Sequence, residues 1–143
     1  LLQISEDDIN KGFLNVIANT HLQGRWQQLG TNPKIICDTA HNAHGLKVVM
    51  NQLKKEKYHQ LHFVLGVVND KKLDDILTLL PKNAKYYFCT PNVSRGLDTS
   101  VLKKEGFKYG LIGKVYSSVS DAYNNALSSS INSDFIYIKN IKM

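Results

Sequence analysis

The chain has 143 residues, 43% of them hydrophobic and 21% charged, a size and balance that suit one globular domain around a single core. The formal net charge is +6 and the pI about 9.3. The lysines, however, are scattered through LKKEKYHQ, NDKKLDD and VLKKEGFK, broken by acids and without interleaved aromatics. That pattern reads as solvated helix faces rather than a nucleic-acid groove, and leaves an anionic small ligand such as a nucleotide. No apolar run approaches the roughly 20 residues of a membrane helix. The opening LLQISEDDIN lacks the basic region of a secretory signal, and the absence of an initial Met points to a fragment. Cys37 and Cys89 each sit in an apolar run, so two reduced, buried thiols in a cytoplasmic protein are expected. No Cys/His spacing has the form of a metal site.

In chain order, SEDDINKGFLNVIANT carries Ile9, Phe13, Val16 and Ile17 at helical spacing, which predicts a helix over about residues 6 to 18. Ser5 and Asp8 resemble a capping box. HLQGRWQQLGTNP reads as a loop. KIICD is a short strand, and NAHGLKVVMNQLKKEKY is a helix with Leu46, Val49, Met50 and Leu53 on one face. QLHFVLGVV is apolar enough for a strand covered on both sides. KKLDDILTLLP places Leu73, Ile76, Leu77 and Leu80 on a stripe ended by Pro81. KYYFCT is a strand, DTSVLKKEGF a helix capped by Asp98 and ended at Gly106, and GKVY a short strand. SVSDAYNNALSSS gathers Val119, Ala122, Tyr123, Ala126 and Leu127, and DFIYIKN closes the series as a strand. Strand and helix alternate four times after residue 33. This predicts an α/β fold, a three-layer Rossmann-like domain with a mostly parallel sheet flanked by helices.

Ligands of open parallel sheets bind beyond the carboxyl ends of the strands. CDTAHNAHG, from Cys37 to Gly45, stands at such an end. A helix start there offers free amides and partial positive charge to phosphate oxygens. Asp38 can accept from ribose hydroxyls or brace the turn. Asn42 can face ligand or cap the helix, and His41 can sit by a transferred phosphate. Local chemistry leaves these alternatives open. QGRWQQLG adds Gly24, Arg25 with its forked cationic donor, and Trp26, whose ordinary role is core packing. Asn69, Asp70 and Lys71 end the second parallel strand, and Arg95 follows the third; each is a ligand-side residue or part of an ordinary turn. His21, His44, His59 and His62 show no usable spacing. There is no G-x-x-x-x-G-K-[ST] phosphate loop and no nucleophile elbow, so a complete phosphoryl-transfer site is absent from the chain.

Taken in order, GRWQ (Gly24 to Gln27), ICDTAHNAHG (Ile36 to Gly45), VLGVVNDKKL (Val64 to Leu73) and, more weakly, PNVSRGL (Pro91 to Leu97) resemble the C-terminal domain of folylpolyglutamate synthase/dihydrofolate synthase, in the Mur ligase superfamily. The family pattern is Gly-Arg, about a dozen residues, Asp-x-x-His-Asn, and later Gly with an Asp-Lys pair. The resemblance covers roughly residues 20 to 138. It implies that residues 1–143 form a single domain of a larger ATP- and magnesium-dependent ligase whose P-loop domain lies elsewhere and holds the metal. Such enzymes phosphorylate a carboxylate of a folate or dihydropteroate substrate, and the amine of L-glutamate then attacks the acyl phosphate. Carried over by motif, Arg25, Asp38 and Asn42 face ATP, and His41 faces the phosphates and the reacting carboxyl. The chain's own N-terminal domain is the implied partner, and the isolated domain is expected to be inactive.

Two departures stand out. Ala43 occupies the place where the family usually has Pro after His-Asn. Lys139 to Met143 stand where relatives continue into a Gly/Ser-rich turn that helps bind substrate. Two other readings compete: a cell-wall Mur amino-acid ligase domain, and a non-catalytic Rossmann-like binding module in which the polar loop merely caps a helix. The sequence does not separate dihydrofolate synthase from folylpolyglutamate synthase, and it does not give the oligomeric state.

Overall fold

A computed structural model describes residues 25–69 and 72–139. The helix expected over residues 6 to 18, together with Gly24, Asp70 and Lys71, lies outside the described residues. Six strands form one sheet: β1 (Gln27–Thr31), β2 (Lys34–Asp38), β3 (Leu61–Leu65), β4 (Lys85–Cys89), β5 (Gly113–Tyr116) and β6 (Phe135–Lys139), in the spatial order β1-β2-β6-β3-β4-β5. Four helices connect them: α1 (Ala43–Leu53), α2 (Leu73–Leu77), α3 (Thr99–Lys108) and α4 (Val119–Ser129). β1 pairs antiparallel with β2, and every other pairing is parallel. The sheet is therefore the mostly parallel one expected.

The apolar pattern of the strands explains the layers. β3 and β6 are buried along their full lengths, as central strands covered on both faces must be. Side chains alternate between faces. Ile36, Phe63, Leu65, Tyr86, Phe88, Phe135 and Tyr137 pack with Leu46, Met50 and Leu53 of α1, Ile76 and Leu77 of α2, and Leu102 of α3. Ile35, Cys37, Val64, Tyr87, Cys89, Ile136 and Ile138 pack with Ala122, Tyr123 and Ala126 of α4. The first three crossovers thus run along one face. The return from β5 to β6 runs along the other, where a right-handed crossover must go when the strand order reverses. Three layers result.

The local signals behave unevenly. Asp98 caps α3 as expected, accepting from the N–H groups of Ser100 and Val101 at 2.9 and 3.3 Å. The helix, however, runs past Gly106 to Lys108, and Gly110 takes the left-handed conformation at φ 78 beyond its end. Gly106 is instead a packing glycine: a Cβ there would stand 3.3 Å from the Phe88 ring. α1 stops at Leu53, short of the predicted Tyr58. The stretch read as a loop before residue 33 contains β1, which turns back through Asn32 and Pro33 to pair with β2.

Candidate nucleotide-binding edge

The parallel strands all end on one side of the sheet, and β2 ends at Asp38. Asp38 is 1% exposed. One of its carboxylate oxygens accepts the Ala40 N–H at 2.7 Å, and the other accepts the Trp26 N–H at 2.6 Å. The first bond folds the β2–α1 loop into an Asx-type turn. The second ties that loop to the segment twelve residues earlier. Trp26 has φ 50, a left-handed conformation unfavourable for a bulky residue. The short bond to the carboxylate and the packing of the indole against Phe135 and Tyr137, with ring centroids 6.3 and 6.4 Å away, hold it there. Arg25, the next residue upstream, is exposed beside the tip of β2.

Asn42 has extended backbone and caps α1, its Oδ1 accepting the Gly45 N–H at 2.7 Å. His41, Asn42 and His44 are exposed on this loop and first helical turn. Of the residues singled out in the sequence, Arg25, Asp38, His41 and Asn42 therefore gather at one strand end. Asp38 braces and Asn42 caps, so both structural alternatives are realised. The helix start still presents its dipole toward the exposed loop.

The exits of β3 and β4 are stitched together next to this edge. Val68 and Gly96 form an antiparallel bridge. The Asn69 N–H donates to the Arg95 carbonyl at 2.7 Å, and the Leu97 N–H donates to the Val67 carbonyl at 2.9 Å. Gly96 is required by contact: a Cβ would fall 2.7 Å from the Pro91 carbonyl oxygen. Arg95 is exposed on this stitched pair of loops, at the same end of the sheet as Asp38.

Sequence reasoning missed two features. Lys139 ends β6 at 5% exposure, with Asp38 and Leu65 as its Cα partners on the two neighbouring strands. A lysine closing a fully apolar strand is a visible signal of a buried charge. Tyr137, two residues earlier, has a buried hydroxyl without a hydrogen-bond partner; burial raises its pKa well above the usual range, and the Asp38 charge adds to this.

A second missed cluster lies toward the strand starts, under α4. His62 is fully buried, with Nδ1 2.8 Å from the Tyr87 hydroxyl and Nε2 3.0 Å from Asp134. His59 Nδ1 approaches the other Asp134 oxygen at 3.2 Å. No linear spacing announces this, because residues 59, 62 and 134 meet only when β6 inserts beside β3. Among the described residues no group of three or more His, Cys, Asp or Glu side chains could hold a metal ion. No helix among the described residues is long and apolar enough to cross a membrane.

The chain is 27% identical over 139 residues, 96% of its length and 31% of the relative's, to dihydrofolate synthase/folylpolyglutamate synthase of Escherichia coli. It is 32% identical over 99 residues, 69% of its length and 11% of the relative's, to a probable bifunctional folylpolyglutamate synthase/dihydropteroate synthase of Haloferax volcanii. The solved structure of E. coli FolC in complex with ADP superposes with a TM-score of 0.75 at 26% identity, over 98% of this chain and 33% of that one. The chain thus spans about a third or less of the length of these relatives. The model of the Mur ligase, glutamate ligase domain matches residues 24–139, from the glycine before Arg25 to the lysine that ends β6, and the chain belongs to that family.

Proposed function

We propose that this chain is the C-terminal, substrate-closing domain of an ATP-dependent amide ligase that adds glutamate to folate or dihydropteroate. The observation that carries the reading is the convergence of Arg25, Asp38, His41 and Asn42 at the end of β2, within a family match running from residue 24 to 139. The relatives in E. coli and Haloferax volcanii bear folate-ligase names, which favours a folate substrate over a cell-wall precursor.

In the reaction, a carboxylate oxygen of the folate or dihydropteroate attacks the γ-phosphorus of ATP and ADP leaves. The glutamate amine then attacks the acyl carbon, the C–O bond to phosphate breaks, and amide, inorganic phosphate and a proton are released. Arg25 offsets the charge on the phosphates, as a forked, permanently charged donor does well. Asn42 and the first amides of α1 face phosphate oxygens. His41 faces the phosphates and the reacting carboxyl. Asp38 fixes this arrangement from a buried position by gripping Trp26 and Ala40. Magnesium, held by the P-loop domain, supplies further charge neutralisation when bound. Closure of this domain over the acyl phosphate excludes water, which would otherwise hydrolyse it. The enzyme acts in the cytoplasm on this reading.

The test joins the chain to a folate-ligase P-loop domain. Turnover is expected only in the joined protein. Arg25→Ala should lower kcat there by about 10²-fold or more while leaving the urea midpoint unchanged. Near wild-type rates would remove Arg25 from the site, and activity with muramyl peptides but not folates would move the chain to a cell-wall ligase.

A further inference from the structure

We propose that Trp26 is a positioning residue for Arg25: its left-handed backbone, pinned both at the N–H and at the indole, sets where the arginine stands at the nucleotide edge. The inference deepens the functional reading above and rests on it for the value of that placement.

Among the described residues Trp26 is the only non-glycine with a positive φ, at 50. Glycine takes this conformation freely and asparagine tolerates it. A bulky aromatic there is an outlier, and such outliers persist only where their surroundings over-determine them. Here the surroundings do. The N–H donates to Asp38 Oδ2 at 2.6 Å. The indole lies tilted against Phe135 and Tyr137, with ring centroids 6.3 and 6.4 Å away, within the range where aromatic pairs attract. Core packing, the ordinary role of a lone tryptophan, does not require a left-handed backbone. Redirecting the chain does: it bends at Arg25 and Trp26, immediately before β1 begins at Gln27.

The bonded N–H belongs to the peptide plane between Arg25 and Trp26, and that plane also contains the Arg25 carbonyl and Cα. A hydrogen bond that fixes the plane and an indole that fixes the residue leave the Arg25 Cα little freedom. The acceptor adds a further constraint. Asp38 is buried, and its other carboxylate oxygen takes the Ala40 N–H at 2.7 Å. The segment that carries Arg25 and the loop that carries His41 are thus referenced to one carboxylate. Arg25 itself stays exposed, as a group that meets a ligand requires. Glycine at position 26 would relax the backbone but remove the indole anchor, and the arginine would sample many placements. Misplacing a reacting group by about 1 Å can cost roughly 10²-fold in rate. A rigid, strained residue therefore serves the site better than a relaxed one.

The test uses the joined protein. Trp26→Gly should lower kcat about tenfold or more, and Trp26→Phe, which keeps a ring against Phe135 and Tyr137, should restore most of it. In an Arg25→Ala background Trp26→Gly should cause no further loss, because the tryptophan acts through the arginine. The heteronuclear NOE of the Arg25 amide should fall in Trp26→Gly and not in Trp26→Phe, while that of Val64 in the centre of β3 stays at its wild-type value. Equal fractional losses of kcat in both backgrounds would overturn the proposal. So would a wild-type Arg25 NOE in Trp26→Gly, or a wild-type kcat in Trp26→Gly where Arg25→Ala is impaired. If the glycine variant does not fold, Trp26→Leu gives the same comparison, and loss of the fold in both would assign Trp26 to core stability and overturn the proposal. The nucleotide reading fails separately: a lowered Arg25 NOE in Trp26→Gly together with wild-type turnover in Arg25→Ala removes the arginine from the chemistry and leaves its positioning by Trp26 standing.

Discussion

Asn42 shows how one exposed side chain carries both structure and proposed chemistry. Its Oδ1 satisfies the Gly45 N–H, one of the orphan donors at the start of α1. Replacing it with alanine should cost about 1 kcal/mol of stability, read as a lower urea midpoint, whereas Asn42→Asp should keep the midpoint near wild type because the carboxylate caps equally well. Such capping was legible in the sequence as one of two alternatives, since Asn precedes an apolar run at helical spacing. The role of Asp38 was legible only as one of two alternatives. Its second partner, the Trp26 N–H, comes from twelve residues away through a hairpin that the sequence hides: QQLGT has the polar-apolar mixture of a loop, and it becomes a strand only because β2 offers an open edge. Lys139 is legible as a lysine closing an apolar strand, but the neighbouring strands that bury it are not named by linear order.

The β3–β6 pairing creates the hydrogen-bonded group of Tyr87, His62, Asp134 and His59. Burial pushes the Asp134 carboxyl upward, but the Ile131 N–H and the His62 and His59 rings outweigh it and leave the group below its ordinary range. The sign follows by linkage. A carboxyl whose folded value is depressed adds stability that is fully present above its unfolded value of about 4 and is lost as pH falls through the lower folded value. Asp134→Asn should therefore flatten the acid limb of a urea-midpoint profile below about pH 4. At neutral pH the same variant should be less stable by about 1–3 kcal/mol, because the buried His62 loses its charged partner. A wild-type acid limb in the variant would show that Asp134 is not the group responsible. The elements that enclose this cluster were readable from apolar runs and helical stripes. The α4 face is an example: Ala122, Tyr123 and Ala126 are buried as its spacing requires. The cluster itself was not, since its members come from the two ends of a long sequence interval.

At the scale of the molecule, the two cysteines report on the core as a whole. Cys37 and Cys89 are each 1% exposed, and both belong to the layer beneath α4. Burial pushes the Cys89 thiol up to about 12, so almost no thiolate exists at neutral pH. Neither thiol should react with a disulfide reagent in the native state, and both should become reactive across the same urea range as the loss of helical circular dichroism. Fast native labelling of either would contradict this packing. The alternation of strands and helices that foretold three layers says nothing about which strand sits where, and the spatial order β1-β2-β6-β3-β4-β5 has one consequence for synthesis. Of these six strands β6 is made last, yet it is the keystone wedged between two strands made long before it. Until it arrives, β2 and β3 have no neighbour in common, the row that joins Asp38 to the end of β3 is broken, and the half-made sheet offers two unpaired edges to any passing chain. A nascent polypeptide stopped before Asp134 is thus an aggregation hazard rather than a smaller working domain.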